Sequence, residues 1–229
     1  MRSLAFTLVT LCLIGFSLSA QTEYYEEKPS GPERWAIPKF SIKYLPSHYI
    51  SQFPGHLFEL EYGLKREKAL VLRLGPVIEN GNLSEVNAPY FQNRSGFKSS
   101  IGYKITMPTR SKVRPFMLFE LFYNDINFDR TRTFELSCGV GCVYYEEATY
   151  DVFLTEYGLR INNGINVPLN DWLFFEIAIG LGVKYQDIDS GEGRPMDPLA
   201  ELGEPFDDEK SVTALAADLS IKLGFVIFK

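Results

Sequence analysis

The 229-residue chain sets 23 Lys and Arg against 29 Asp and Glu, for a formal net charge of −6 and a pI near 5.1. That balance excludes the basic face on which nucleic-acid binding depends. The length fits one domain, no break in composition marks a second, and no motif calls for a cofactor.

Met1 to Ala20 begins with a single basic residue, Arg2, continues as an apolar run through Phe16 and ends in the small residues Ser17, Ser19 and Ala20. That order predicts a secretory signal peptide. The run is too short for a spanning helix, which needs about 20 apolar residues, and Cys12 follows Leu11 where a lipidation signal needs a small residue. Residues 21–37, rich in Glu, Pro and Gly without periodicity, are expected as a polar periplasmic lead-in, and residues 38–229 as the folded unit. In that unit no apolar stretch reaches spanning length, since Trp172 to Val183 is broken by Glu176. A membrane location would therefore require a closed barrel, which with the helix is the only structure that satisfies every backbone group in lipid.

From Phe40 onward the pattern has period two. Phe40, Ile42 and Tyr44 alternate with Ser41 and Lys43 in a weak first strand. Phe58, Leu60, Tyr62 and Leu64 alternate with Glu59, Glu61, Gly63 and Lys65, and then Leu70, Leu72 and Leu74 with Val71, Arg73 and Gly75. Phe97, Ile101, Tyr103 and Ile105 oppose Lys98, Ser100, Gly102 and Lys104, while Met117 to Tyr123 oppose the mixed set Phe116, Leu118, Glu120 and Phe122. Phe153, Tyr157, Leu159 and Ile161 oppose Leu154, Glu156, Gly158 and Arg160. Leu173 through Tyr185 oppose Phe174, Glu176, Ala178, Gly180, Gly182 and Lys184, and Leu219 to Ile227 oppose Asp218, Ser220, Lys222 and Gly224. These segments predict an all-β, eight-stranded, antiparallel up-and-down transmembrane barrel.

Every charged residue in these segments falls on the parity opposite the apolar set. One solvated sheet face would give the same alternation in a soluble protein, but the connections also alternate between short and long, as periplasmic turns and external loops do. An even strand number leaves both termini on the periplasmic side.

The Glu-Tyr-Gly-Leu of residues 61–64 recurs at 156–159, and Ile-Gly-Leu-Gly-Val stands at 179–183. With the strand pattern, these residues make the chain over 39–228 resemble the small OmpA- and OmpX-like outer-membrane barrels of the porin and outer-membrane β-barrel type. The resemblance implies a Gram-negative outer membrane, lipid neighbours and insertion by the barrel-assembly machinery. Barrels of that group end in an aromatic residue, whereas here Phe228 is followed by Lys229.

An eight-stranded barrel is filled by its own side chains. Glu59, Glu61, Arg73, Glu120, Glu156, Arg160, Glu176, Lys184, Asp218 and Lys222 are read as a structural plug network rather than an ion path. Binding falls to the outer loops, where a surface ligand would meet a chain expected as a monomer. Segments 126–136 and 143–150 alternate and would continue their strands outward, with Cys138-Gly-Val-Gly-Cys142 closed by a disulfide at the tip. The connection 186–210 is acidic, and Asp187-Ile-Asp189-Ser-Gly191-Glu192 shares part of a calcium loop without its full ligand spacing. Two other functions fit a signal-bearing β-barrel. An outer-membrane enzyme would have to draw on His48 and His56 beside Ser47 and Ser51, read as ordinary surface residues. A lipocalin-like carrier would need an apolar lumen.

Overall fold

The computed structural model describes residues 38–51, 53–65, 67–79, 92–109, 112–139, 142–191, 200–202 and 211–228. The expected signal peptide and lead-in lie outside them. The strands are β1 (Phe40–Tyr44), β2 (Phe58–Lys65), β3 (Lys68–Val77), β4 (Gln92–Thr106), β5 (Arg114–Gly139), β6 (Cys142–Pro168), β7 (Leu173–Ser190), β8 (Ala200–Leu202) and β9 (Val212–Phe228). Eight of them close a ring in the order β4-β3-β2-β1-β9-β7-β6-β5, with β5 returning to β4 and every pairing antiparallel. The three-residue β8 pairs with the outer part of β5.

The ring has a defined shear. From Thr213 the row of paired residues runs through Tyr185, Tyr157, Tyr123, Ser99, Leu74, Phe58 and Tyr44 and returns to β9 at Leu223, ten residues along from 213 to 223. In eight strands that stagger tilts each strand by about 40° to the barrel axis and leaves room only for side chains.

The faces follow the period-two reading. On β3 the burial alternates without exception from Lys68, exposed, to Val77, buried. Ile177, Ile179, Leu181 and Val183 point outward while Phe174, Glu176, Ala178 and Gly180 point in. The inward glycines make room for large neighbours: a Cβ on Gly224 would overlap the Phe174 ring, and one on Gly180 the amide oxygen of Asn162.

Two strands continue outward as expected, while β7 and β1 depart from the expectation. β5 and β6, at 26 and 27 residues, run far past the length of a spanning strand, and their inward residues build an apolar core of Ile126, Phe128, Phe134, Leu136, Tyr150, Val152 and Leu154. β7 continues to Ser190, which places Asp187 and Asp189 on a strand rather than in a loop. β1 stops at Tyr44 after five residues, because Pro46 cannot donate to a ladder and the chain turns inward through a short 3-10 helix, Pro46–Ile50. That turn buries Leu45, Phe53 and Leu57. It is tied down by Leu45 N–H donating to Leu57 O at 3.0 Å and by the Ser47 hydroxyl accepting from Ile221 N–H at 3.0 Å.

Candidate functional site

The lumen holds most of its charges in one lattice. Its innermost part alternates three lysines with three glutamates: Lys43, Lys104 and Lys222 with Glu59, Glu61 and Glu176, all buried. Pleat and register bring them together, since Lys43 faces Glu59 across β1–β2 and Glu176 faces Lys222 across β7–β9. Lys43 Nζ donates to Glu59 Oε1 at 2.8 Å, to Glu176 Oε2 at 2.9 Å, and also to Glu61. Lys104 Nζ reaches Glu61 Oε2 at 2.8 Å and also Glu176, and Lys222 Nζ reaches Glu59 Oε2 at 2.7 Å. The stems lie on aromatic rings, with Lys104 Nζ 4.2 Å from the Phe116 ring centre and Lys43 Nζ 5.6 Å from that of Phe174.

Glu59, Glu61 and Glu176 bring carboxylate oxygens within 4.8 Å of one another, close enough to hold a cation. The Lys43 ammonium bonds to all three. It stands for the cation in that cage, and the set is neutral as built.

Arg73 joins this set to the next, with NH2 3.0 Å from Glu59 Oε2 and NH1 2.9 Å from Glu120 Oε1. Glu120 is the best-satisfied anion of the lumen, accepting also from Ser100 Oγ at 2.5 Å, Arg160 at 2.8 Å and Asn162 at 2.8 Å. Arg160 extends to Asp218 Oδ1 at 3.4 Å. Farther out, Glu156 accepts from Lys184 at 2.7 Å, Gln186 at 2.6 Å and Asn124 at 2.9 Å. Buried charges persist only when paired and hydrogen-bonded, and this lattice meets that condition.

Of the ten lumen residues expected from the sequence, Glu59, Glu61, Arg73, Glu120, Arg160, Glu176, Asp218 and Lys222 are linked through these contacts, while Glu156 and Lys184 form a separate outer pair. Lys43 and Lys104 stand at the centre without having been named in the network. Their inward parity was the available signal, and the shortness of β1 obscured it for Lys43.

Cys142 is disulfide-bonded; the Cys138 side chain lies outside what is described. Gly139 pairs with Cys142 and Ser137 with Val143, so the two cysteines stand beside each other at the β5–β6 turn. In the acidic connection, Asp187 Oδ1 accepts from Ser211 Oγ at 3.0 Å, while residues 192–199 and 203–210, with their carboxylates, lie outside the described residues.

His48 corrects the surface reading. It sits in the lumen, its ring nitrogens buried and Nε2 3.6 Å from Asp218 Oδ1, because the connection that carries it folds inward. The serines beside the histidines bond elsewhere: Ser51 Oγ donates to His48 O at 2.9 Å and Phe53 O at 2.7 Å, and His56 Nδ1 lies 3.0 Å from the Tyr44 hydroxyl. Nucleophile and base are not brought together.

These features define a closed, eight-stranded antiparallel β-barrel with its ions inside and its apolar side chains outside. No protein-family model matches the sequence, and no curated protein matches it. Among solved structures the chain is similar to the N-terminal β-barrel domain of Pseudomonas aeruginosa OprF, at 11% identity and a TM-score of 0.40 over 81% of this chain and 95% of that one.

Proposed function

We propose that the chain is an integral outer-membrane β-barrel protein of structural or surface-interaction type. The observation that carries this reading is the inversion of polarity across the wall. Ile179 and Leu219 are 62% and 63% exposed, whereas Lys43, Glu59 and Glu176 are at 0%. Such a continuous apolar wall is untenable in water and is what hydrocarbon requires of a closed sheet. Tyr123, Tyr157 and Tyr185 share one row near the outer end, and Trp172 stacks on Phe225 at the other, ring centres 6.0 Å apart. These support aromatic girdles at the two membrane surfaces.

In this reading residues 1–20 direct export, residues 21–37 lie in the periplasm, and the barrel-assembly machinery inserts a monomer among outer-membrane lipids. The lumen lattice is a plug. The β5–β6 extension, closed at its tip by a Cys138–Cys142 disulfide, presents the surface for an external ligand. A carrier for apolar ligands would need a greasy lumen, which the ion lattice opposes.

Cell-envelope fractionation followed by gel electrophoresis with and without boiling tests the reading. The expected result is an outer-membrane protein whose mobility shifts on heating. A soluble periplasmic protein with no shift contradicts it.

A further inference from the structure

The barrel wall is not complete at every height. β1 pairs with β9 only from Leu223 to Phe228, yet β9 runs on to Val212 with β7 on its other side. The chain that would continue β1 turns into the lumen instead. Ser47 takes the Ile221 N–H, and among the described residues no strand lies beside β9 from Thr213 to Leu219. By the pleat, the backbone groups of every second residue there face this seam, as those of Ile221 do.

A cavity of about 300 Å³ stands at the seam. On β9 it is lined by four consecutive residues, Leu215, Ala216, Ala217 and Asp218. Ala216 is buried on the lumen side and Leu215 is 81% exposed on the outer side. The cavity thus stands along the stretch of β9 that no described strand pairs on the β1 side. Arg73 and Arg160, both bonded to Glu120, line it, as does Phe53, whose ring lies 5.5 Å from that of Phe128 in the apolar core.

The lining carries Arg73, Lys98, Arg160 and Lys184 with Glu156 and Asp218, and Glu59 and Glu120 bond Arg73 from the lattice, four charges of each sign. Arg73, Arg160 and Lys184 are each bonded to a carboxylate. Lys98 is not: its Nζ donates to the Phe53 carbonyl at 2.6 Å, and among the described residues no carboxylate pairs with it. Beside it, both ring nitrogens of His48 and Oδ2 of Asp218 are buried without hydrogen-bond partners.

We infer that this lateral cavity holds the phosphate-bearing headgroup of a membrane phospholipid, with its phosphate on Lys98, its polar end on Asp218 and His48, and its acyl chains along Leu215 and Leu219. A gap in strand pairing within an apolar wall gives an amphiphile a route from the membrane, and titration with inorganic phosphate separates it from a soluble anion. The inference rests on the membrane placement proposed above. A separate readout, the heat-dependent gel shift, tests that placement.

The test is native mass spectrometry of the full barrel in neutral detergent, titrated with phosphatidylglycerol and, separately, with inorganic phosphate. One lipid per barrel is expected, with affinity lowered about tenfold in Lys98→Gln, the loss of one charge-assisted hydrogen bond. A similar loss is expected in Ala217→Trp, which blocks the seam without touching a charge, and none in Lys68→Gln at the exposed inner turn. Each protein is first shown to be folded by its gel shift. If the folded parent retains no lipid, if both site variants retain it undiminished, or if inorganic phosphate binds as tightly as the lipid, the inference fails while the barrel stands.

Discussion

Two stretches of the same strands face the interior in opposite ways. Between Phe116 and Asn124, β5 turns Glu120 into the ion lattice and Phe119, Leu121 and Tyr123 outward. Beyond that, it turns Ile126, Phe128, Phe134 and Leu136 inward, with Arg130 and Arg132 buried on the same face, and Asn127, Asp129, Thr133 and Glu135 outward. β6 makes the same exchange, with Glu156 and Arg160 inside the first stretch and Tyr150, Val152 and Leu154 inside the second. Parity never changes; polarity does. In the proposed membrane reading, the ions have only the lumen to occupy where the wall meets lipid, and apolar side chains retreat inside where it meets water. The exchange, just past Tyr123 and Tyr157, then marks the outer boundary of the membrane.

The strongest way to break this contrast is to remove one ion from the inner stretch. Glu59→Ala leaves Lys43, Arg73 and Lys222 short of a partner and is expected to cost about 3 to 5 kcal/mol. The loss would be read as a lower urea midpoint for the barrel refolded in lipid vesicles, and an unchanged midpoint would mean that the lattice is not paired. Phe134→Ala, from the fully buried Phe134 of the outer core, should lose about 3 to 5 kcal/mol locally. That would appear as faster amide exchange between Asp125 and Tyr150 with the urea midpoint unmoved; a matching fall in the midpoint would make the two stretches one cooperative unit.

The position of the boundary can be sharpened with one substitution at two sites. Leu181→Arg on the lipid-facing wall should cost about 2 to 4 kcal/mol in vesicles. Asn127→Arg, also outward but beyond the exchange point, should be close to neutral, and a penalty there would move the boundary outward. The smallest effect belongs to the hairpin tip. Cys142→Ser should weaken it by about 2 kcal/mol, visible as protease cleavage near residue 140 with the gel shift of the barrel retained.

The eight strands and the inward placement of their ions were legible because a strand has a period of two and the charges of these segments stand on one parity. The pairing of the ions was not. It depends on the shear, which sets Lys43 against Glu59 and Glu176 against Lys222 and emerges only when the ring closes. The inward turn after Tyr44 was also hidden. One proline and three scattered apolar residues, Leu45, Phe53 and Leu57, carry no periodic signal, so His48 read as a surface residue. The long β5–β6 hairpin was visible as alternation past the membrane, whereas the extension of β7 through Asp187 and Asp189 was masked by the acidity of the segment.

Whether the ion lattice closes the lumen is read by single-channel recording of the refolded barrel in a planar bilayer at neutral pH, on protein whose gel shift shows it folded. No sustained conductance above that of the bare bilayer is expected; a steady ohmic current from the unmodified protein would show that the lattice is an ion path.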